Sequence, residues 1–537
     1  MSDTFDYLVI GGGSAGCVVA GRLSEDPEVS VCLLEAGAPD YSALIHCPAG
    51  LAAMIPLPIY NWAFKTKPNP GLNGRLGYQA RGKTLGGSSS INGMMYVRGD
   101  SSDYDRWAAE GNTGWSYAEV LPYFKKSENN ETYGDSEFHG AGGSLNVAEL
   151  IDPSQYSRAF VEAAVQAGYP RNPDCNGASL DGFGLTQVTQ KNGERCSSAK
   201  AFITPNRGRA NLRVITRAHT TRILMKGKRA VGVEYRDGDG KLQQVRAARE
   251  VILSAGALQS PQVLMLSGIG PKEELQKHGI PVVHELPGVG KNLQDHIDIV
   301  HSYEAKDPKG LFGVSWSSIA LILRGMVAWR RHRRGPLTTN FAEGNGFIRT
   351  LPNEAVPDVQ VVQLIVKLIN HGRTILLGNG YSVHCCVLRP KSRGSVSLSS
   401  NDPLAPPLID TNFLSEQDDV DRLVRGFKLI RNVMKQPALA SLGGRESKNS
   451  ARAQTDAEIE RYIRDHADCA YHPVGTCRMG QGPLDVVDEQ LRVKGVEGLR
   501  VADASIMPNI VSGNTNAPSI MIGEKAADMI RAERKQG

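Results

Sequence analysis

The apolar positions near the N-terminus fall in two runs with a helical period between them. Tyr7-Leu8-Val9-Ile10 is continuously apolar, as in a parallel strand buried on both faces. It runs into Gly11-Gly12-Gly13-Ser14-Ala15-Gly16, after which Val18, Val19, Ala20 and Leu23 recur with helical spacing. Val29 to Leu34 is the second run, and it ends on Glu35 and Ala36. The pattern predicts a strand, a glycine turn, a helix and a second strand tipped by an acid. In such a unit Gly11 makes the tight turn, Gly13 admits a pyrophosphate close to the backbone, and Gly16 lets the helix pack on the strand. The helix N-terminus at Ser14 and Ala15 offers unpaired N–H groups to phosphate oxygens, and Glu35 is placed for ribose hydroxyls. The unit predicts dinucleotide binding, with a nucleotide-free doubly wound sheet as the alternative. By itself it does not choose a flavin over a nicotinamide dinucleotide.

The pattern then loosens. Residues 38–80 are loop-like and interrupted by Pro39, Pro48, Pro56, Pro58, Pro68 and Pro70. A second small-residue segment runs from Arg81 to Met94 and includes Gly86, Gly87, Ser90, Asn92 and Gly93. It suits close approach of backbone to a flat ligand, or a surface loop. Helices are predicted from Asp103, over Tyr117 to Glu128, and over Tyr156 to Gly168. Leu212 to Thr216 reads as a strand, Thr221 to Met225 and Ala230 to Tyr235 as a hairpin, and Gln243 to Ala247 as a strand leading into Glu250 to Ser254. Between 300 and 460, Val359 to Ile369 and Tyr381 to Leu388 read as strands and Val420 to Lys435 as a helix. This stretch is expected to shape a substrate pocket.

At 537 residues the chain is too long for one small core, so two or more domains are expected. A net charge of +5 argues against nucleic acid as a partner. The nine cysteines are irregularly spaced with no C-x-x-C, and adjacent Cys385 and Cys386 read as core thiols rather than metal ligands. The odd cysteine count and an N-terminus that enters the first strand almost at once predict a cytoplasmic protein without a cleaved leader. No apolar run reaches transmembrane length.

Taken together the motifs resemble the glucose–methanol–choline oxidoreductase family, which are flavoenzymes. The resemblance rests on the N-terminal unit, on Arg81 to Met94 with Tyr96-Val97-Arg98-Gly99, and on Gly256 to Pro261 with Leu266 to Gly270. It continues in Gly290 to His296, Tyr471 to Gly480, and Val501 to Asp528. It implies an α/β fold in which a Rossmann-like FAD-binding domain (residues 1–155, 204–298 and 462–537) is interleaved with a smaller substrate domain on an antiparallel sheet (156–203 and 299–461). It also implies FAD contacts from Glu35, Ala36, the 86–93 loop, Thr221, Asp503, Ala504 and Asn516. Some relatives attach flavin covalently through a histidine where this sequence has Ile91, so non-covalent FAD is expected.

Alcohol oxidation needs a base for the hydroxyl proton and an acceptor for hydride, and no side chain accepts hydride. The resemblance makes flavin N5 that acceptor and His472, set between Tyr471 and Pro473, the base. Its partner is expected at Asn516, as a hydrogen-bond donor to the alcohol oxygen, with Asn514 a rival by register. His296 and His466 read as structural. Glu343 matches an acid that some choline-oxidising relatives place near the substrate cation, and reads equally as an internal acceptor; Tyr471 is a second candidate substrate contact. The implied reaction is oxidation of a primary alcohol (aliphatic, glycol or choline-like) to the aldehyde, by a dehydrogenase using a quinone or similar acceptor. The alternatives are an oxidase using O2 and a non-redox flavin-dependent lyase or binder. Finally, Trp316 to Trp329 followed by Arg330-Arg331-His332-Arg333-Arg334 has the composition of an interfacial helix, which would associate the protein peripherally with a membrane through 316–334. The same pattern serves a helix buried against the substrate domain.

Overall fold

The computed structural model describes residues 4–368, 373–374 and 377–536. The first strand, β1 (Thr4–Ile10), is buried from Tyr7 to Ile10 and lies inside a seven-stranded sheet. It pairs in parallel with β2 (Val31–Glu35) on one side and with Leu242–Leu253 on the other. Leu212–Thr216 extends the parallel side beyond β2. Leu242–Leu253 is one continuous strand that changes partners along its length. Its first half closes an antiparallel meander with Arg229–Arg236 and His219–Lys226, and its end pairs in parallel with Leu499–Val501. The central strands are apolar without alternation because helices and loops cover both faces. One of these is α1 (Ser14–Leu23), where eight of ten residues are buried.

A second, antiparallel sheet is built around Ile297–Glu304, Gly378–Val387, Val359–Leu364, Ala342–Ile348 and Gly182–Leu185, in that order. It carries its own hydrophobic core. The helix Gln417–Met434 covers it with Val420, Leu423, Val424, Phe427 and Ile430, a three-four spacing that buries one face. Gly426 sits where a Cβ would come within 2.5 Å of Cys385 Sγ, so the glycine sets how closely helix and sheet approach. The strand expected over Val359 to Ile369 stops at Leu364, and Ile369 lies outside the described residues. Asp468–Cys469 pairs with Ile297–Glu304 in this second sheet, although residues 462–537 were expected to belong wholly with the first.

The chain's end closes onto its beginning. The helix Asn516–Gln536 packs against α1, where a Cβ on Gly523 would meet Ala15 O at 2.8 Å. Arg22 and the fully buried Glu524 form a two-pronged ion pair across this contact. The C-terminal helix thereby brings residues near 514–516 to the glycine turn at 11–16, and one elongated cavity of about 370 Å³ forms between the two sheets.

Candidate active site

One end of the cavity is walled by backbone. Gly11 adopts φ +95° as the chain leaves β1, and a Cβ there would lie 2.5 Å from Ser254 O. Gly16 packs so closely that a Cβ would be 2.0 Å from Gly11 O. Gly13, by contrast, has only one atom at the 4 Å limit, and it borders the cavity. No side chain caps the N-terminus of α1, and its first turn has no acid. These N–H groups with the helix dipole make an anion site. Glu35 accepts from Gly12 N–H at 2.9 Å and Gly37 N–H at 2.7 Å, and burial pushes its carboxyl up to about 7. The 86–93 loop locks onto this turn through a Gly86 N–H to Gly12 O bond of 2.7 Å, with Gly87 against Gly13. Opposite, Asp503 accepts from Gly256 N–H (2.9 Å), Ser260 Oγ (2.6 Å) and Ser505 N–H (2.7 Å), joining three loops. Ala504, Gly93 and Gly256 complete the wall, and a Cβ on either glycine would meet nothing within 4 Å.

The other end of the cavity holds His472. Tyr471 before it has φ +67°, a conformation that costs on the order of 1 kcal/mol for a non-glycine residue and needs to be held. Asp295 supplies the hold: its Oδ1 accepts the His472 backbone N–H at 2.7 Å and its Oδ2 accepts Gln79 Nε2 at 2.8 Å. Arg81 donates to the Tyr471 carbonyl. The imidazole is held on both nitrogens, by His296 Nδ1 at 3.0 Å from its Nδ1 and by Asn514 Nδ2 at 3.1 Å from its Nε2. His296 Nε2 lies 3.0 Å from Leu388 O, which only accepts, so this nitrogen carries the hydrogen. His296 Nδ1 is then an acceptor, His472 Nδ1 carries a hydrogen, and His472 Nε2 keeps its lone pair on the cavity side. Burial, with the neighbouring His296 and Arg81, drives the His472 pKa well below the ordinary histidine value. The arrangement is a neutral imidazole with one fixed basic nitrogen.

The family description GMC oxidoreductase matches residues 5–298 with its N-terminal part and 390–523 with its C-terminal part. The chain belongs to the GMC oxidoreductases. Membership makes it an FAD-dependent oxidoreductase of CH–OH donors, as its motifs implied. Among related proteins, the alcohol dehydrogenase (acceptor) of Pseudomonas putida is 47% identical over 528 residues, covering 98% of this chain and 95% of the relative. An oxygen-dependent choline dehydrogenase of Escherichia coli O139:H28 is 44% identical over 538 residues, covering 98% and 96%. The crystal structure of a pyridoxine 4-oxidase from Mesorbium loti superposes with a TM-score of 0.89 at 31% identity, covering 98% of this chain and 99% of that one. The site fits the family's cofactor: one continuous cavity joins a capless helix N-terminus, a buried acid and glycine walls that a Cβ would fill.

Within this GMC site, several expected residues take other places. Asn516 does not pair with His472. It is the first residue of the C-terminal helix, and its Oδ1 accepts from Ser14 Oγ at 2.8 Å, which puts it at the glycine turn. Asn514, two residues earlier, reaches His472, and its Oδ1 accepts from Gln360 Nε2 at 3.4 Å. Thr221 turns away from the cavity to donate to Glu234, while its neighbours His219 and Thr220 border it. Ser90 Oγ is spent on Leu85 O, and Gly16 and Gly86 shape their turns without lining the cavity. Glu343 points to the far side of its strand, where Ser154 N–H, Ser157 Oγ and Thr339 Oγ1 saturate it, while Ala342 faces the cavity. It is an internal acceptor, because three donors compensate its burial. Tyr471 lines the cavity beside His472. Sequence reading missed Asp295 and His296 as supports of His472. They stood in a recognised family segment, but their partner lies 176 residues on from His296.

Proposed function

We propose that this protein oxidises an uncharged primary alcohol to the aldehyde, with His472 Nε2 taking the hydroxyl proton. The observation that carries the reading is the tautomer chain from Leu388 O through His296 to His472, which leaves Nε2 unprotonated beside the Asn514 amide. The alcohol hydroxyl takes the place of the Asn514 contact at Nε2 and gives its proton there, while the Asn514 amide donates to the alcohol oxygen and steadies the charge that grows as the proton leaves. Bound flavin supplies the oxidant that accepts hydride from the alcohol carbon. His472 needs no prior deprotonation, because burial disfavours its charged form and its Nδ1 hydrogen is committed to His296. FAD is held without a covalent bond: Ile91 has no nucleophile and packs against Ile45 and Met54.

The pocket wall opposite His472 comes from the antiparallel sheet. Gln360, Val362 and Leu364 project to one face of their strand, and His384 and Cys386 do so from the next. His384 Nδ1 and Asp298 Oδ2 are 2.5 Å apart, so the one acid on this wall is engaged. None of these wall residues is Phe, Tyr or Trp, which leaves Tyr471 and Trp62 elsewhere on the cavity lining rather than an aromatic cage, and the Glu343 carboxylate is elsewhere; both disfavour a quaternary ammonium group. Similarity to the alcohol dehydrogenase (acceptor) of P. putida supports an electron acceptor other than oxygen. The nine free cysteines support a cytoplasmic setting. The test is a panel of alkanols, glycol ethers and choline assayed with an artificial acceptor under argon, then under air with peroxide detection. Uncharged alcohols should lead and peroxide should be minor. Choline as the best substrate would overturn the substrate assignment, and stoichiometric peroxide the acceptor.

A further inference from the structure

The segment Trp316–His332 forms a helix that, unlike an ordinary surface helix, keeps a large apolar face on its solvent side. Its inward side is made mostly of small residues. Ser318 and Gly325 are buried, Ala328 partly so, and a Cβ on Gly325 would press on Leu337 at 2.8 Å. Leu321 and Trp329 also pack inward, but most of its large apolar residues point to solvent. Trp316 is 87% exposed and Leu323 59%, and Ile319, Met326 and Val327 lie on the same outward side. At 100° per residue these five fall within one third of the helix circumference. The outward orientation is fastened from beneath. Trp329 Nε1 donates to Gly193 O at 2.8 Å, Arg333 stacks on Trp329 and pairs with Glu194 at 2.7 Å, and Asn379 donates to Ser318 Oγ at 3.1 Å. The helix thus packs on the substrate domain through Ser318, Leu321, Gly325 and Trp329, as one reading of the sequence expected, while its opposite side stays in water.

Charge indicates what the face meets. The helix has no acidic residue, and its outward C-terminal end carries Arg330 and Arg331, with Arg334 just beyond. Among the described residues these three and Arg324 form no ion pair. A second copy placed helix to helix would bring arginines against arginines or against apolar side chains, with no carboxylate on the helix to meet them. An anionic bilayer offers hydrocarbon to the five apolar side chains and phosphates to the arginines together. Among the described residues no helix is long and apolar enough to cross a membrane. We propose that Trp316–His332 docks this protein on anionic lipid, lying in the plane of the interface with Trp316, Ile319, Leu323, Met326 and Val327 among the acyl chains. The assignment does not depend on which alcohol His472 oxidises.

The test uses the FAD-loaded protein and vesicles of phosphatidylethanolamine with phosphatidylglycerol, or of phosphatidylcholine alone. The wild type should sediment with the anionic vesicles at low salt, be released as salt rises, and show a blue shift of emission that the Trp316→Phe variant lacks. Arg330→Gln with Arg331→Gln and Arg334→Gln should weaken anionic binding on the order of a hundredfold. Ile319→Ser with Leu323→Ser and Val327→Ser should abolish sedimentation while leaving FAD content and alcohol oxidation in solution unchanged, since these side chains already face water. A wild type that stays in the supernatant at low salt, or serine variants that sediment like wild type, would overturn the proposal. So would a wild-type dimer that the serine variants convert to monomer without change in vesicle binding, which would assign the face to a second copy.

Discussion

Two asparagines two residues apart are given different tasks by the structure, and exchanging each for alanine separates them. Asn514→Ala removes the amide 3.1 Å from His472 Nε2, where the proposed reaction builds charge on the alcohol oxygen. A preorganised donor in such a water-poor site contributes about 3 kcal/mol. At about 1.4 kcal/mol per tenfold, flavin reduction by alcohol should slow on the order of a hundredfold. FAD should stay bound, because the other contact of Asn514 is Gln360 in the antiparallel sheet. Asn516→Ala removes the acceptor 2.8 Å from Ser14 Oγ at the head of α1. One neutral hydrogen bond is worth about 1 kcal/mol, so FAD should bind roughly fivefold more weakly. Once saturated, this variant should be reduced at close to the wild-type rate. Anaerobic stopped-flow of the flavin absorbance gives the first quantity, and FAD titration of the apoprotein the second. A larger rate loss in Asn516→Ala than in Asn514→Ala, at saturating FAD, would refute the pairing.

Three further outcomes are expected. Acid precipitation should leave the flavin in the supernatant, because Ile91 cannot bond to it; flavin in the pellet would show another attachment. FAD affinity should rise on the order of tenfold between about pH 6 and pH 8. The sign follows from Glu35, whose carboxyl is raised to about 7 without ribose donors. Hydroxyls that donate to it favour the ionised form, so binding expels a proton and strengthens as pH rises; calorimetry in buffers of different ionisation heat would expose a wrong sign. Glu343→Gln should destabilise the protein by about 2 kcal/mol through weakened or mismatched hydrogen bonds, with the ranking of alcohol substrates unchanged. A selective change in KM for cationic alcohols would place that carboxylate in the pocket after all.

What could be read from the residues follows from how local each signal was. The apolar runs around Gly11–Gly16 predicted β1, α1 and β2 because strand, turn and helix are neighbours in the chain. His472 was legible for the same reason, between Tyr471 and Pro473. Asn514 and Asn516 were not separable in sequence. Only the start of the C-terminal helix at Asn516 decides which one faces α1 and which one faces the histidine. Glu343 illustrates the period of a strand: with Ala342 in the cavity, the next side chain lies on the opposite face. His296 stood in a recognised segment but with no sign of its partner, since its role comes from pairing Ile297–Glu304 with Asp468–Cys469, which sets it beside His472. For Trp316–His332 the apolar pattern alone was symmetric between inside and outside, and the small residues Ser318 and Gly325 decided which face turned inward.

The central claim is that His472 is the base, and the His472→Ala variant loaded with FAD tests it most directly. Mixed anaerobically with saturating primary alcohol, it should retain its flavin spectrum and be reduced more slowly than wild type by on the order of a hundredfold or more. A rate within a few fold of wild type, with FAD fully bound, would contradict the account.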